Sequence, residues 1–233
     1  MLSALEISNL CDRHREKLES LRLTLLGVGA MNSPRYAPAG LLVEYNGARV
    51  IIDGGPGATT KRKLSAWLVT DKHSELIREI CKLARPKGLE PELATFKSGR
   101  LVVEPRVVVH TSHPTCGYLI RAASKKIVWA PEFLLFPSWA KGADVMFAEA
   151  SGWKRPILFR GGAGGHACVD QVVRDAGKCK VKRLIFTHIG RPTIKAIDAG
   201  EQPAFGEFGA DHDVYSLCDD GSFSRRRPRL TRV

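Results

Sequence analysis

Five histidines, His73, His110, His113, His166 and His188, fall where the pattern of the chain ends a strand or begins a helix. Loops at the end of a sheet are where ligands and catalytic groups gather. A single histidine there is usually a structural hydrogen-bonding residue, but several at comparable places point to a metal or to acid–base chemistry. Imidazole suits zinc, iron or manganese, and carboxylates complete such sites. Ordinary uses compete for the nearby acids. Asp71 can cap a helix beginning near Ser74, and Glu75 in its first turn favours the helix dipole without any metal. Asp53, in the run Asp53-Gly54-Gly55-Pro56-Gly57, reads first as a loop-shaping residue. Gly27-Val28-Gly29 loses the glycine pattern at Asn32, which argues against a dinucleotide site.

The elements that must carry these residues follow from apolar patterning. Residues 1–20 read as a peripheral helical segment. Leu21–Gly27 is an apolar strand. Gly40–Tyr45 and Ala48–Asp53 are joined by Asn46-Gly47, the strongest short hairpin signal. Leu64–Thr70 is a strand leading into a helix over roughly Ser74–Ala84, which Pro86 and Gly88 stop. Short strands are expected at Glu92–Phe96, Leu101–Val103, Arg106–His110, Gly117–Arg121, Lys125–Ala130 and Ala143–Glu149. His166–Gly177 reads as an amphipathic helix and Val181–His188 as a buried strand. Residues 189–210 read as loop, and His212–Leu217 as a last strand. Without regular βαβ alternation, a doubly wound sheet is disfavoured. One domain over 21–218 is expected, followed by a disordered basic tail over 219–233.

Several of these segments together resemble the metallo-β-lactamase superfamily, in its RNase Z and phosphodiesterase branch. Leu25-Leu26-Gly27-Val28-Gly29, Gly40-Leu41-Leu42-Val43-Glu44 and Val50-Ile51-Ile52-Asp53-Gly54-Gly55-Pro56-Gly57 resemble its opening strands. Thr70-Asp71-Lys72-His73-Ser74-Glu75-Leu76 stands where the family carries Thr-His-x-His-x-Asp-His. His73 keeps one histidine, Asp71 and Glu75 replace a histidine and an aspartate, and Leu76 replaces a ligand it cannot imitate. His113-Pro114-Thr115-Cys116-Gly117-Tyr118 resembles the third-histidine segment, with His110 competing for that role. Ile127-Val128-Trp129-Ala130-Pro131-Glu132 resembles the strand ending in the bridging acid. Gly165-His166-Ala167 resembles the start of the penultimate helix, and Phe186-Thr187-His188 the final metal histidine.

The resemblance covers roughly residues 21–191 and implies an α+β, four-layer αββα sandwich. Carried over by position, it implies one metal held by Asp71, His73, His113 and Glu132. A second, from Glu75, Glu132 and His188, lacks a ligand, so one ion is expected rather than two. Zinc is the first choice, with manganese or iron as alternatives given so much carboxylate. Asp71 or Glu75 would orient or deprotonate a metal-bound water, and His166 would bind a phosphate or leaving-group oxygen.

The chain has 233 residues and a formal charge of +12, of which Arg225, Arg226, Arg227, Arg229 and Arg232 contribute five. A basic body favours phosphoester or nucleic-acid partners. The six cysteines form no Cys-x-x-Cys pair and read as reduced, mostly buried thiols. No membrane span and no signal peptide are evident, so a cytoplasmic location is the expectation. Three function classes remain: a metal-dependent hydrolase, a metal-depleted scaffold that binds nucleic acid or another polyanion, and oxygen chemistry at a single iron.

Overall fold

In the computed structural model, residues 20–218 and 222–227 are described. The expected helical segment at the N-terminus lies outside them apart from its last residue. Among the described residues, two large sheets and a two-stranded ribbon carry the strands. The first is built from β1 (Leu21–Gly27), β2 (Gly40–Tyr45), β3 (Ala48–Asp53) and β4 (Ala66–Leu68), with two late strands described below. The β2–β3 hairpin turns at Asn46-Gly47, where both residues have positive φ (45° and 80°), as a two-residue turn of this kind requires.

A short helix, α1 (Ile77–Ala84), follows β4. It begins three residues later than the sequence pattern suggests, and no side chain caps it. Asp71 therefore does not serve as its cap. Ile80 and Ala84 bury against Leu26, Leu42, Ile51 and Trp67, which covers the outer face of the first sheet.

The second sheet holds β5 (Phe96–Ser98), β6 (Leu101–Val108), β7 (Thr115–Ala122), β8 (Lys125–Ala130) and β9 (Val145–Ala150). β6 is continuous through Pro105, where two separate strands are expected from sequence. A two-stranded ribbon of β10 (Ile157–Leu158) and β11 (Gly165–His166) leads into α2 (Val169–Lys178), then β12 (Leu184–Ile189). α2 buries Val169, Val172 and Ala176 at helical spacing.

The segment 189–210 corrects the loop expectation. It holds α3 (Arg191–Asp198), with Pro192 in its first turn, and β13 (Glu207–Phe208), which pairs with β12. β14 (Val214–Leu217) pairs with β1, and β15 (Phe223–Arg226) pairs with β14. The strand orders are β15-β14-β1-β2-β3-β4 and β13-β12-β9-β8-β7-β6-β5. The inner faces of the two sheets share one core, including Leu23, Leu25, Val43, Ile120, Trp129, Phe147, Phe186 and Tyr215. This is the expected four-layer sandwich.

The basic tail is also corrected where it is described: Phe223–Arg226 is a strand. Arg225 and Arg227 both pair with Asp213, whose side chain is fully buried. The rest of the tail, 219–221 and 228–233, lies outside the described residues. Five cysteines are described; all are free, and of these Cys168 alone is buried. No helix among the described residues is long and apolar enough to cross a membrane.

Candidate metal and acid–base site

At one edge of the two sheets lies a hollow of about 600 Å³. Every residue proposed from sequence for metal binding or catalysis lines it: Asp71, His73, Glu75, His113, Glu132, His166 and His188. They do not form one cluster. A buried group gathers around Glu132 and Glu149, and a second group lies on the rim.

In the buried group, His110 and His188 each aim Nε2 at a different oxygen of Glu132. The distances are 2.7 Å from His110 to Oε2 and 3.3 Å from His188 to Oε1. Each ring is tied from behind. Nδ1 of His110 is 3.0 Å from the Gly165 carbonyl, while Nδ1 of His188 is 3.1 Å from Glu149 and 2.9 Å from the Ser151 hydroxyl. Metal-binding histidines commonly have this form, with one nitrogen forward and the other fixed by a carbonyl or carboxylate.

Glu149 is fully buried and serves two rings. Its Oε2 lies 2.7 Å from His166 Nδ1, and its Oε1 faces His188 and accepts the Ser151 N–H at 2.8 Å. The ligand atoms of Glu149, His166 and His188 all lie within 4.8 Å of one another. The Glu132 carboxylate between two forward-facing imidazoles, with Glu149 behind, drawn from the ends of four strands, suits a divalent cation by donor type.

Charge follows from this crowding. Burial alone would raise the Glu132 carboxyl, but the His188 charge and the His110 hydrogen bond outweigh it and hold the group well below the usual range. Glu149 is likewise depressed, with His188 and His166 overcoming its burial. Burial lowers His188, yet the two glutamates reverse this and push it up to about 9.

Backbone geometry places these groups. His188 has a φ of 52°, rare for a residue with a side chain, at a shift of register between β12 and β9. Such a bulge re-aims a side chain at the end of a strand. Gly190 follows, and a Cβ there would meet the Ser151 carbonyl at 2.6 Å, so the β9 and β12 tips approach closely. Gly164 has a φ of 137°, and a Cβ on it would stand 2.0 Å from the His110 carbonyl.

Beneath the site, Asp53 joins the two sheets. One oxygen accepts from the Thr70 N–H (2.7 Å) and hydroxyl (2.9 Å), and the other from the Trp129 indole N–H (2.7 Å). Its loop-shaping role is thus a clamp between the segment before Asp71 and β8. Burial pushes its carboxyl up to about 6, which these hydrogen bonds only partly offset.

On the rim, Asp71 accepts the His73 N–H at 2.7 Å and pairs with His113 Nε2 at 2.9 Å. The His73 and His113 rings meet edge-on, 5.2 Å between centroids. His73 and Glu75 are exposed. The four ligands expected for the first ion, Asp71, His73, His113 and Glu132, are therefore divided between rim and centre. His110, not His113, reaches Glu132. Glu132 and His188 also line a separate cleft of about 60 Å³, with Leu76, Ile80 and Met31 in its wall.

Sequence reasoning left His110 as a competitor and did not place Glu149 in the site. Both had a signal. His110 closes the Arg106–His110 apolar run, and Glu149 ends one of the most apolar strands in the chain.

No family model matches the chain, and no curated protein matches it in sequence. Solved structures share its fold. A diphosphatase of the PhnP family is 19% identical, with 85% of this chain and 98% of that chain covered and a TM-score of 0.66. The metallo-β-lactamase fold protein YhfI from Bacillus subtilis is 15% identical, covering 85% and 99%, with a TM-score of 0.67. The short form of human tRNase Z is 16% identical, covering 83% and 98%, with a TM-score of 0.56.

Proposed function

From the metallo-β-lactamase fold that this chain has, we propose a metal-dependent hydrolase of phosphoesters, with a phosphodiester or nucleic acid as the substrate class. The observation that carries it is the convergence of His110 Nε2 and His188 Nε2 on the two oxygens of Glu132. These three residues would hold the ion, and Glu149 would fix the ring of His188 behind it. One ion fits better than two, because Leu76 stands where a second would need a ligand. Zinc suits the imidazole and carboxylate donors, with manganese or iron as alternatives.

The ion would supply a hydroxide by lowering the pKa of a bound water. The chain's own groups do the rest. Glu149 accepts Nδ1–H of His166, so Nε2 is the ring nitrogen that, on the doubly protonated ring, would give a proton to the departing oxygen. Asp71 and His113, paired on the rim, would orient water or the entering substrate, and His73 lies beside them. Glu75, exposed at the same rim, is the weaker candidate for handling water. The diphosphatase and tRNase Z names of the structural neighbours support a phosphoester, as does the +12 charge.

The test is elemental analysis of the purified protein with bis(p-nitrophenyl) phosphate turnover. About one equivalent of metal and metal-dependent release of nitrophenol are expected, both lost in His188→Ala. Salt-sensitive nucleic-acid binding by a protein that takes up no metal would support the scaffold reading instead, for which Leu76 is the motivating residue.

A further inference from the structure

We propose that Arg191 anchors the anionic oxygen of the substrate and that Ile157 and Phe159 seat its uncharged ester arm. This rests on the phosphoester reading above and assigns the selectivity of the same hollow. Among the described residues, Arg191 is the only lysine or arginine lining the hollow. Its side chain is exposed, and among the described residues no carboxylate pairs with it. Its position is fixed by its neighbour: the Gly190 N–H bonds the Ala150 carbonyl at 3.2 Å, which sets residue 191 beside the β9 tip and His188. A guanidinium offers a planar pair of donors matched to two phosphate oxygens.

The other wall is apolar. Ile157 stands opposite His166 in the β10–β11 register and shares its face. The Phe159 ring meets His166 edge-on at 5.3 Å and His110 at 5.5 Å. The hollow therefore offers one unpaired cation on the His188 side and hydrocarbon on the His166 side, where the leaving oxygen would depart. Asp71 and Glu75 on the rim oppose a second negative charge. A diester with one charge and a planar or apolar arm matches this lining.

The test uses the metal-loaded full chain and three probes sharing one leaving group: bis(p-nitrophenyl) phosphate, methyl p-nitrophenyl phosphate and the neutral p-nitrophenyl acetate. Arg191→Ala should raise KM for both diesters about 10- to 100-fold, the range for a charge-assisted hydrogen bond, with the acetate KM unchanged and Arg191→Lys intermediate. Phe159→Leu, with metal content unaltered, should raise KM for both diesters about 3- to 10-fold, since each departs as p-nitrophenol on the His166 side, and leave calorimetric binding of dimethyl phosphate unchanged; equal weakening of dimethyl and diphenyl phosphate would overturn the apolar seat. Calorimetric binding of diphenyl phosphate should weaken by the same factors without catalysis. A diester KM within twofold of wild type in Arg191→Ala, or equal changes for charged and neutral probes, overturns the anchor while the hydrolase reading stands. A wild-type protein that holds its metal and cleaves neither diester overturns both.

Discussion

Glu149 lies between two imidazoles with no access to water, so its charge is tolerable only while both rings donate to it. Glu149→Gln keeps the shape and removes the charge. Metal affinity should fall about 10- to 100-fold, as for the loss of a carboxylate behind a ligating histidine. Equilibrium dialysis against a metal chelator reads this directly. Asp53 offers a different test, because all three donors on it need an acceptor and an asparagine provides only one. Asp53→Asn should cost about 1–3 kcal/mol in urea unfolding, through a donor left facing a donor. Its acidity adds a sign. The folded carboxyl, near 6, holds its proton more tightly than the unfolded one, near 3.8. That contribution is fully present below pH 4 and lost as pH rises to about 6. The stability difference between metal-free wild type and Asp53→Asn should therefore shrink over that window and stay flat above it. At this scale the sequence was partly legible. Strand-end positions singled out His166 and His188, and the family resemblance singled out Glu132; all three line the hollow. The choice between His110 and His113 was not legible, because only Thr111 and Ser112 separate them and only the paths of β6 and β11 decide which ring turns inward.

The strand tips carry the geometry, and the tightest contact among them is Gly164 against the His110 backbone. Gly164→Ala should push β11 away, carrying His166 off Glu149 and His110 off Glu132. Turnover should fall at least tenfold while far-ultraviolet circular dichroism stays the same; an unchanged rate would show that the tip has slack. A positive φ at that position adds a local cost of about 1–3 kcal/mol. Elements with strong local signals were readable from sequence: the Asn46-Gly47 hairpin, the helix before Pro86 and the Lys125–Ala130 strand. α3 was not, although Pro192 at its start and Gly200 past its end are ordinary helix boundaries. Its eight residues give barely two turns of periodicity, and much of its definition comes from burying Thr193, Ile194 and Ala196 against the rest of the fold.

The molecule as a whole is closed on one side by its own C-terminal segment. Asp213 has no exposed surface and carries two guanidinium partners and the Ala210 N–H. Asp213→Ala should cost about 3 kcal/mol, the scale for breaking a buried pair, with a fall in Tm. Faster trypsin cleavage after Arg225 and Arg226 should accompany it, and equal cleavage rates would mean that β14 alone holds the segment. Composition made these arginines look like a solvated tail, since nothing local in an arginine run reveals that an acid twelve residues upstream is buried beneath it.

That arrangement bears on how the protein can be cut. β15 satisfies the hydrogen-bonding row that β14 would otherwise present to the outside. A version ending at Leu217 would leave that row bare, next to apolar Tyr215 and Val214, and an unshielded row of this kind recruits strands from neighbouring molecules. Truncation meant to tidy a basic extension would thus be expected to yield dimers or precipitate on size-exclusion chromatography, although every residue lining the hollow would still be present.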